Sequence, residues 1–175
     1  MSIHEKLKNI SRDHVVEYKQ LTEIPKKDAL SIKSQEEKLS GCLKLCRVID
    51  VYDGDTCTVI LHNGNELEKF KLRIYGYDSP EKKVSTKLCA EDRKVAKDKA
   101  LEATNAFCAF IDKKITAVNI MKKDKYGRLL GELYAFTDES EFKESHTYNV
   151  KDFMLLNGYG YAYTGGRKQP IKVSP

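Results

Sequence analysis

Several features are scarce in this chain, and each scarcity excludes something. No apolar run approaches the ~20 residues that a bilayer-spanning helix needs, so no membrane partner is expected. The start, Met1-Ser-Ile-His-Glu5, lacks a basic region followed by an apolar one, so no signal peptide is visible. Five cysteines (Cys42, Cys46, Cys57, Cys89, Cys108) are odd in number, scattered and without a CxxC pair, which argues against a structural zinc site. Reduced thiols and the missing leader together suggest an intracellular protein.

What is present is a core and a moderate surplus of positive charge. The hydrophobic fraction is 41% of 175 residues, sufficient for one compact domain with an extension. Charged residues make up 33%, with a net charge of +5. That balance is compatible with a polyanionic partner but is also common on ordinary solvated surfaces.

The first forty residues differ from the rest. Ile3, Leu7, Ile10, His14, Tyr18 and Leu21 lie three and four apart, Ser2 and Glu5 stand at capping-box spacing, and Pro25 follows the last apolar turn. Residues 1–40 read as an amphipathic helix and a polar, lysine-rich linker, residues 41–168 as the main domain, and 169–175 as a tail. From Leu43 the signals are those of strands. Leu43–Val51 and Thr56–Leu61 are short β-branched runs, and His62-Asn-Gly-Asn65 marks a hairpin into Leu67–Tyr75. A helix follows with Cys89, Ala96, Ala100, Ala103, Phe107 and Ile111 on one face. Ile115–Met121 and Leu129–Phe136 form a second hairpin, and a short helix runs from Asn149 to Gly158. This order suits an α+β chain dominated by a five-stranded OB-fold barrel, with helices packed on it and an N-terminal helical extension.

Three segments carry candidate chemistry. Asp53-Gly-Asp-Thr56 is a common kind of turn, yet its two carboxylates also suit one hard cation. Arg73-Ile-Tyr-Gly-Tyr-Asp-Ser-Pro-Glu81 places an arginine on the open face of a strand and two carboxylates around a proline turn. The hairpin brings Asp78 within plausible reach of Asp55, and oxygen donors without histidine or cysteine point to calcium or magnesium. An arginine, a cation and a carboxylate are the parts that phosphate-ester hydrolysis requires. Arg128, in Asp124-Lys-Tyr-Gly-Arg128, reads by itself as the cation at a hairpin end. Lys82, Lys83 and Lys87 suit backbone phosphates or a solvated loop equally.

In order and spacing, Val48-Ile-Asp-Val-Tyr-Asp-Gly-Asp-Thr56, Arg73–Glu81 and Asp124–Arg128 resemble the three signature segments of the staphylococcal nuclease (thermonuclease) family, over roughly Leu43 to Tyr163. The resemblance implies a calcium-dependent endonuclease on an OB-fold barrel. It would hydrolyse DNA and RNA, as single strands or frayed duplex, with little sequence preference, and leave 3′-phosphate ends. It implies calcium ligands at Asp55, Asp78 and the Ser79 carbonyl, with Asp53 acting through water. Glu81 would be the general base or the group positioning water, while Arg73 and Arg128 would bind the scissile phosphate. Among Tyr159, Tyr161 and Tyr163, the residue expected to stack on a substrate base is Tyr163, the other two filling core. A monomer is expected. The alternative is a non-catalytic OB-fold module that binds nucleic acid or protein.

Overall fold

The computed structural model describes Lys6 and residues 19–32, 39–136 and 148–166. In chain order the elements are α1 (Lys26–Ser31), β1 (Leu43–Asp53), β2 (Thr56–Asn63), β3 (Glu66–Ile74), β4 (Gly76–Asp78) and α2 (Ala90–Ile111). They continue with β5 (Ile115–Lys123), β6 (Leu129–Phe136), β7 (Tyr148–Asn149), α3 (Val150–Leu156) and β8 (Tyr161–Tyr163).

The strands form where alternation places aliphatic side chains inward. Phe70, Leu72 and Ile74 of β3 are buried between the outward Lys69, Lys71 and Arg73. The β2–β3 hairpin turns on Gly64-Asn65, where Gly64 takes the left-handed φ of +62° that such a short turn requires. Register then follows the side-chain alternation down to the Thr56↔Arg73 pair.

The sheet order is β3-β2-β1-β5-β6-β7, and a parallel β3–β6 pairing closes it. Leu72, Arg73 and Ile74 lie beside Leu129, Leu130 and Gly131 at that closure. The result is a closed five-stranded barrel with helices against it, an α+β fold of OB type. Its interior is filled by side chains such as Val59, Leu61, Leu72, Ile120 and Leu133.

α2 starts at Cys89, whose Sγ accepts from the Asp92 N–H at 3.3 Å. Its buried face is Ala96, Ala100, Ala103 and Phe107, small residues that let the helix lie close to the barrel before one ring fills the core. α3 is capped by the Asn149 side chain, which accepts from Lys151 N at 2.9 Å, and ends before Gly158 at φ +74°. Phe153 of α3 stacks on Phe110 of α2 at 4.2 Å, joining the two helices over the barrel.

Lys26–Ser31, within the stretch expected to be a linker, is helical. Leu21 and Ala29 are buried, and Ile24 and Ile32 pack with Ile49, Ile60 and Leu67 of the barrel wall. Arg47 of β1 fastens this segment by donating from Nη1 to the carbonyls of Leu21 at 2.8 Å and Ile24 at 2.7 Å. Most of the expected amphipathic stripe, Ile3 to Tyr18, and the tail at 169–175 lie outside the described residues. Among the described residues no helix is long and apolar enough to cross a membrane.

Candidate active site

The turn between β1 and β2 forms the floor of the site. Asp53 pairs with Thr56 after an irregularity in β1, and Gly54 lies between the two aspartates. A Cβ at Gly54 would stand 2.9 Å from the Cβ atoms of both Ala103 and Ser79, so the absence of a side chain lets the turn seat between α2 and the Asp78–Pro80 bend. Tyr77 Oη, buried beneath, donates to the Gly54 carbonyl.

Asp55 is 1% exposed and heavily bonded. Its Oδ1 accepts from Thr56 Oγ1 at 2.8 Å and Arg73 Nη1 at 2.8 Å, and its Oδ2 from Ser79 N at 3.1 Å. Strand register explains the arginine's approach: Thr56 faces Arg73, and Ile74 N donates to the Asp55 carbonyl at 2.8 Å. Arg73 Nη2 reaches Asp78 Oδ1, so one guanidinium bridges both carboxylates. Asp78 Oδ2 accepts from Tyr161 Oη at 2.7 Å, a contact set by the Asp78↔Tyr161 pair of β4 and β8.

Burial pushes the Asp55 carboxyl up to about 7, with Arg73 pulling it down and Asp53 pushing it further up. For Arg73 the same burial disfavours the charge, but Asp55 and Asp78 outweigh it and hold the guanidinium above its ordinary value. The buried set therefore has two carboxylates for one guanidinium, with Asp53 adding further negative character.

These residues suit a hard divalent cation. The donors are oxygens only, and each carboxylate oxygen keeps acceptor capacity beyond its present bond. Ser79 Oγ is buried beside them without a hydrogen-bond partner. Among the described residues no three His, Cys, Asp or Glu side chains cluster as a metal group, so backbone or water oxygens would have to complete the shell. Arg73 was expected on a phosphate; here it holds the two aspartates together and also borders the cleft above them.

That cleft has a volume of about 610 Å³ and is lined by Lys71, Arg73, Glu81, Lys125, Tyr126, Arg128 and Tyr163. Barrel closure brings Arg73 and Arg128 together, since the β3–β6 register begins one residue before the former and one after the latter. Asp124 organises the turn that carries Arg128. Its Oδ1 accepts from Tyr126 N at 2.8 Å and Arg128 N at 3.0 Å, and its Oδ2 from Arg128 Nε at 2.7 Å. Burial opposes ionisation of Asp124, but the Arg128 side chain and the two backbone donors outweigh it and hold the carboxyl below its ordinary value. The bond through Nε leaves the Arg128 Nη groups for an anion. Four cations and one carboxylate line the cleft, Arg73 being shared with Asp55 and Asp78 below and Arg128 with Asp124.

Every residue expected at the site lies in one of two adjoining places. Asp55, Asp78 and Ser79 form the floor, Glu81, Arg128 and Tyr163 line the cleft, and Arg73 belongs to both. Tyr163 Oη donates to the Gly166 carbonyl at 2.8 Å, and its ring meets Tyr161 edge-on at 6.4 Å. Tyr159 packs against the core near Phe153, as expected, but Tyr161 does not fill core: it is half-buried and bonded to Asp78. Lys71, Lys125 and Tyr126 are cleft residues not singled out in the sequence. Lys71 stands two residues before Arg73 on the same strand face, a signal that alternation supplies. The other two sit inside the Asp124–Arg128 segment.

A family profile described as staphylococcal nuclease homologue matches residues 71–172, more than half of the chain. Proteins named "Uncharacterized endonuclease" from Escherichia coli and Escherichia coli O157:H7 are each 26% identical over 125 residues. Those alignments cover 71% of this chain and 65% of each relative, so the chain spans a little under two thirds of their length. With the barrel, the paired aspartates and the two-arginine cleft in place, the chain belongs to the staphylococcal nuclease homologue family.

Proposed function

We propose that the chain is a calcium-dependent endonuclease that hydrolyses phosphodiester bonds of DNA and RNA with little sequence preference. The observation that carries this reading is the convergence of Arg73, Glu81 and Arg128 on one cleft, directly above the Asp55–Asp78 pair. The family membership and the endonuclease name of the Escherichia coli relatives support it.

Asp55, Asp78 and the Ser79 carbonyl would hold the cation, with Asp53 contributing through water. When bound, calcium supplies charge neutralisation at the phosphate and favours deprotonation of a nearby water. The chain's own groups do the rest. Arg73 keeps three of its five N–H donors after bridging the aspartates, and Arg128 keeps its Nη groups, so both can bind equatorial phosphoryl oxygens. Fixed donors of this kind act most strongly on the charge that builds up as phosphorus becomes five-coordinate. Glu81 is exposed at the cleft wall, where its carboxylate can meet a water and accept or orient its proton. Tyr163 offers a ring on which a base can stack. Departure of the 5′ oxygen leaves a 3′-phosphate.

The test is degradation of plasmid and single-stranded DNA with calcium or with chelator. Calcium-dependent cleavage is expected, and Glu81→Gln should lower kcat by about 10²–10⁴-fold while leaving the melting temperature unchanged, because the side chain is exposed. Nucleic-acid binding without cleavage at any calcium concentration would replace this reading with the non-catalytic module.

A further inference from the structure

We infer that nucleic acid is held over a longer footprint than the cleft, by a basic face on the first turns of α2. This rests on the nucleic-acid reading above but not on catalysis. Residues 82–99 contain seven Lys or Arg against three Asp or Glu, a net +4 in a chain whose total is +5. The run starts beside the cleft: Glu81 lines the cleft wall, and Lys82 Nζ sits 5.8 Å over the ring of Tyr52, which is 50% exposed.

Helical geometry then gathers the charge. Ala90, Arg93, Lys94, Lys97 and Asp98 recur at spacings of three and four and line one shallow concavity of about 310 Å³. Three cations and one carboxylate share that face, away from the Ala96, Ala100 and Ala103 side that packs on the barrel. The excess has two parts: residues 82–89 carry three lysines and no acid, and the next ten residues of α2 carry four cations against three acids, three of those cations grouped on this face.

The distance also fits. Ala103 packs beneath the Asp53–Asp55 turn, nine residues after Lys94. At 1.5 Å per residue the basic face runs from Lys97, roughly 9 Å from the floor of the site along the helix axis, to Arg93, roughly 15 Å from it. Phosphates along one duplex strand recur every ~3.4 Å, so this spans about four of them. The occupant is a nucleic-acid backbone, recognised by charge and without base readout.

The experiment is anisotropy binding of labelled single-stranded DNA, about 12 and about 4 nucleotides long, with chelator present to prevent cleavage. Neutralising Arg93, Lys94 and Lys97 to Gln should reduce the slope of log affinity against log salt by about two for the longer strand. It should also abolish most of the affinity difference between the two strands. A control triple at Lys26, Lys27 and Lys113, exposed cations elsewhere, should leave the slope unchanged, with circular dichroism melts verifying that both variants fold. An unchanged slope in the α2 variant, or an equal loss in the control, overturns the inference. Failure of the nuclease reading would instead appear as normal binding, with the α2 dependence intact, and no calcium-dependent cleavage.

Discussion

Arg73 is the residue on which the site's electrostatics turn. It is 13% exposed and bridges two nearly buried carboxylates. Removing one partner from such a set leaves uncompensated buried charge, which costs about 3–5 kcal/mol where the group cannot relax. Arg73→Ala should therefore lower the melting temperature in chelator, and calcium should restore more stability to the variant than to the parent. Differential scanning fluorimetry with and without calcium reads this directly; equal calcium shifts in both proteins would contradict it. Activity should fall by about 10²–10³-fold as a donor to the phosphate is lost. The nearness of Asp78 to Asp55 was legible in the sequence, because the hairpin brings the two ends together, whereas the Arg73 bridge between them was not. The Tyr161–Asp78 bond was not legible. Those residues are 83 apart in sequence, and their contact depends on two three-residue strands too short to announce themselves.

Among the elements, the β1–β2 turn and α2 are set against each other with no spare room. Gly54→Ala places a methyl group 2.9 Å from Ala103 Cβ and from Ser79 Cβ and Oγ, so the helix, the bend or the turn must shift. Such overpacking costs about 1–3 kcal/mol. The variant should show a reduced urea midpoint together with weakened calcium binding by calorimetry, since the displaced turn carries Asp55. A change in stability without any change in calcium binding would mean that the strain escapes elsewhere. Long elements were readable because their periodicity repeats: the alanine face of α2 and the alternation of β3 both match their strands and helix. α1 was not readable. Its six residues, Lys-Lys-Asp-Ala-Leu-Ser, contain too few apolar positions to show a period, and its helical state follows from Leu21, Ile24 and Ala29 docking on the barrel wall.

For the molecule as a whole, buried acids of high pKa set an alkaline limit on stability. Burial pushes the Cys46 thiol up to about 12 and the Cys57 thiol well above 9, and Tyr77 and Tyr134 are raised for the same principal reason. A group raised on folding contributes its full stabilisation below its unfolded pKa and loses it as pH rises towards the folded value. Asp55, raised to about 7, loses its contribution between about pH 4 and 7; above that the urea midpoint should hold steady to about pH 9, near the unfolded thiol value, and then fall steeply, less so in Cys46→Ala. A flat profile to pH 11 would contradict this. The barrel could be inferred from strand count and turn positions, but its closing seam could not, because parallel pairing between β3 and β6 leaves no local signature. That seam joins the segment bearing Arg73 to the segment bearing Arg128 across the whole of α2. A chain severed in the loop before α2 would thus be two inert halves, each with one of the cleft's two guanidinium groups, and phosphate chemistry would return only on their reassembly, making catalysis itself the reporter of whether the two pieces have met.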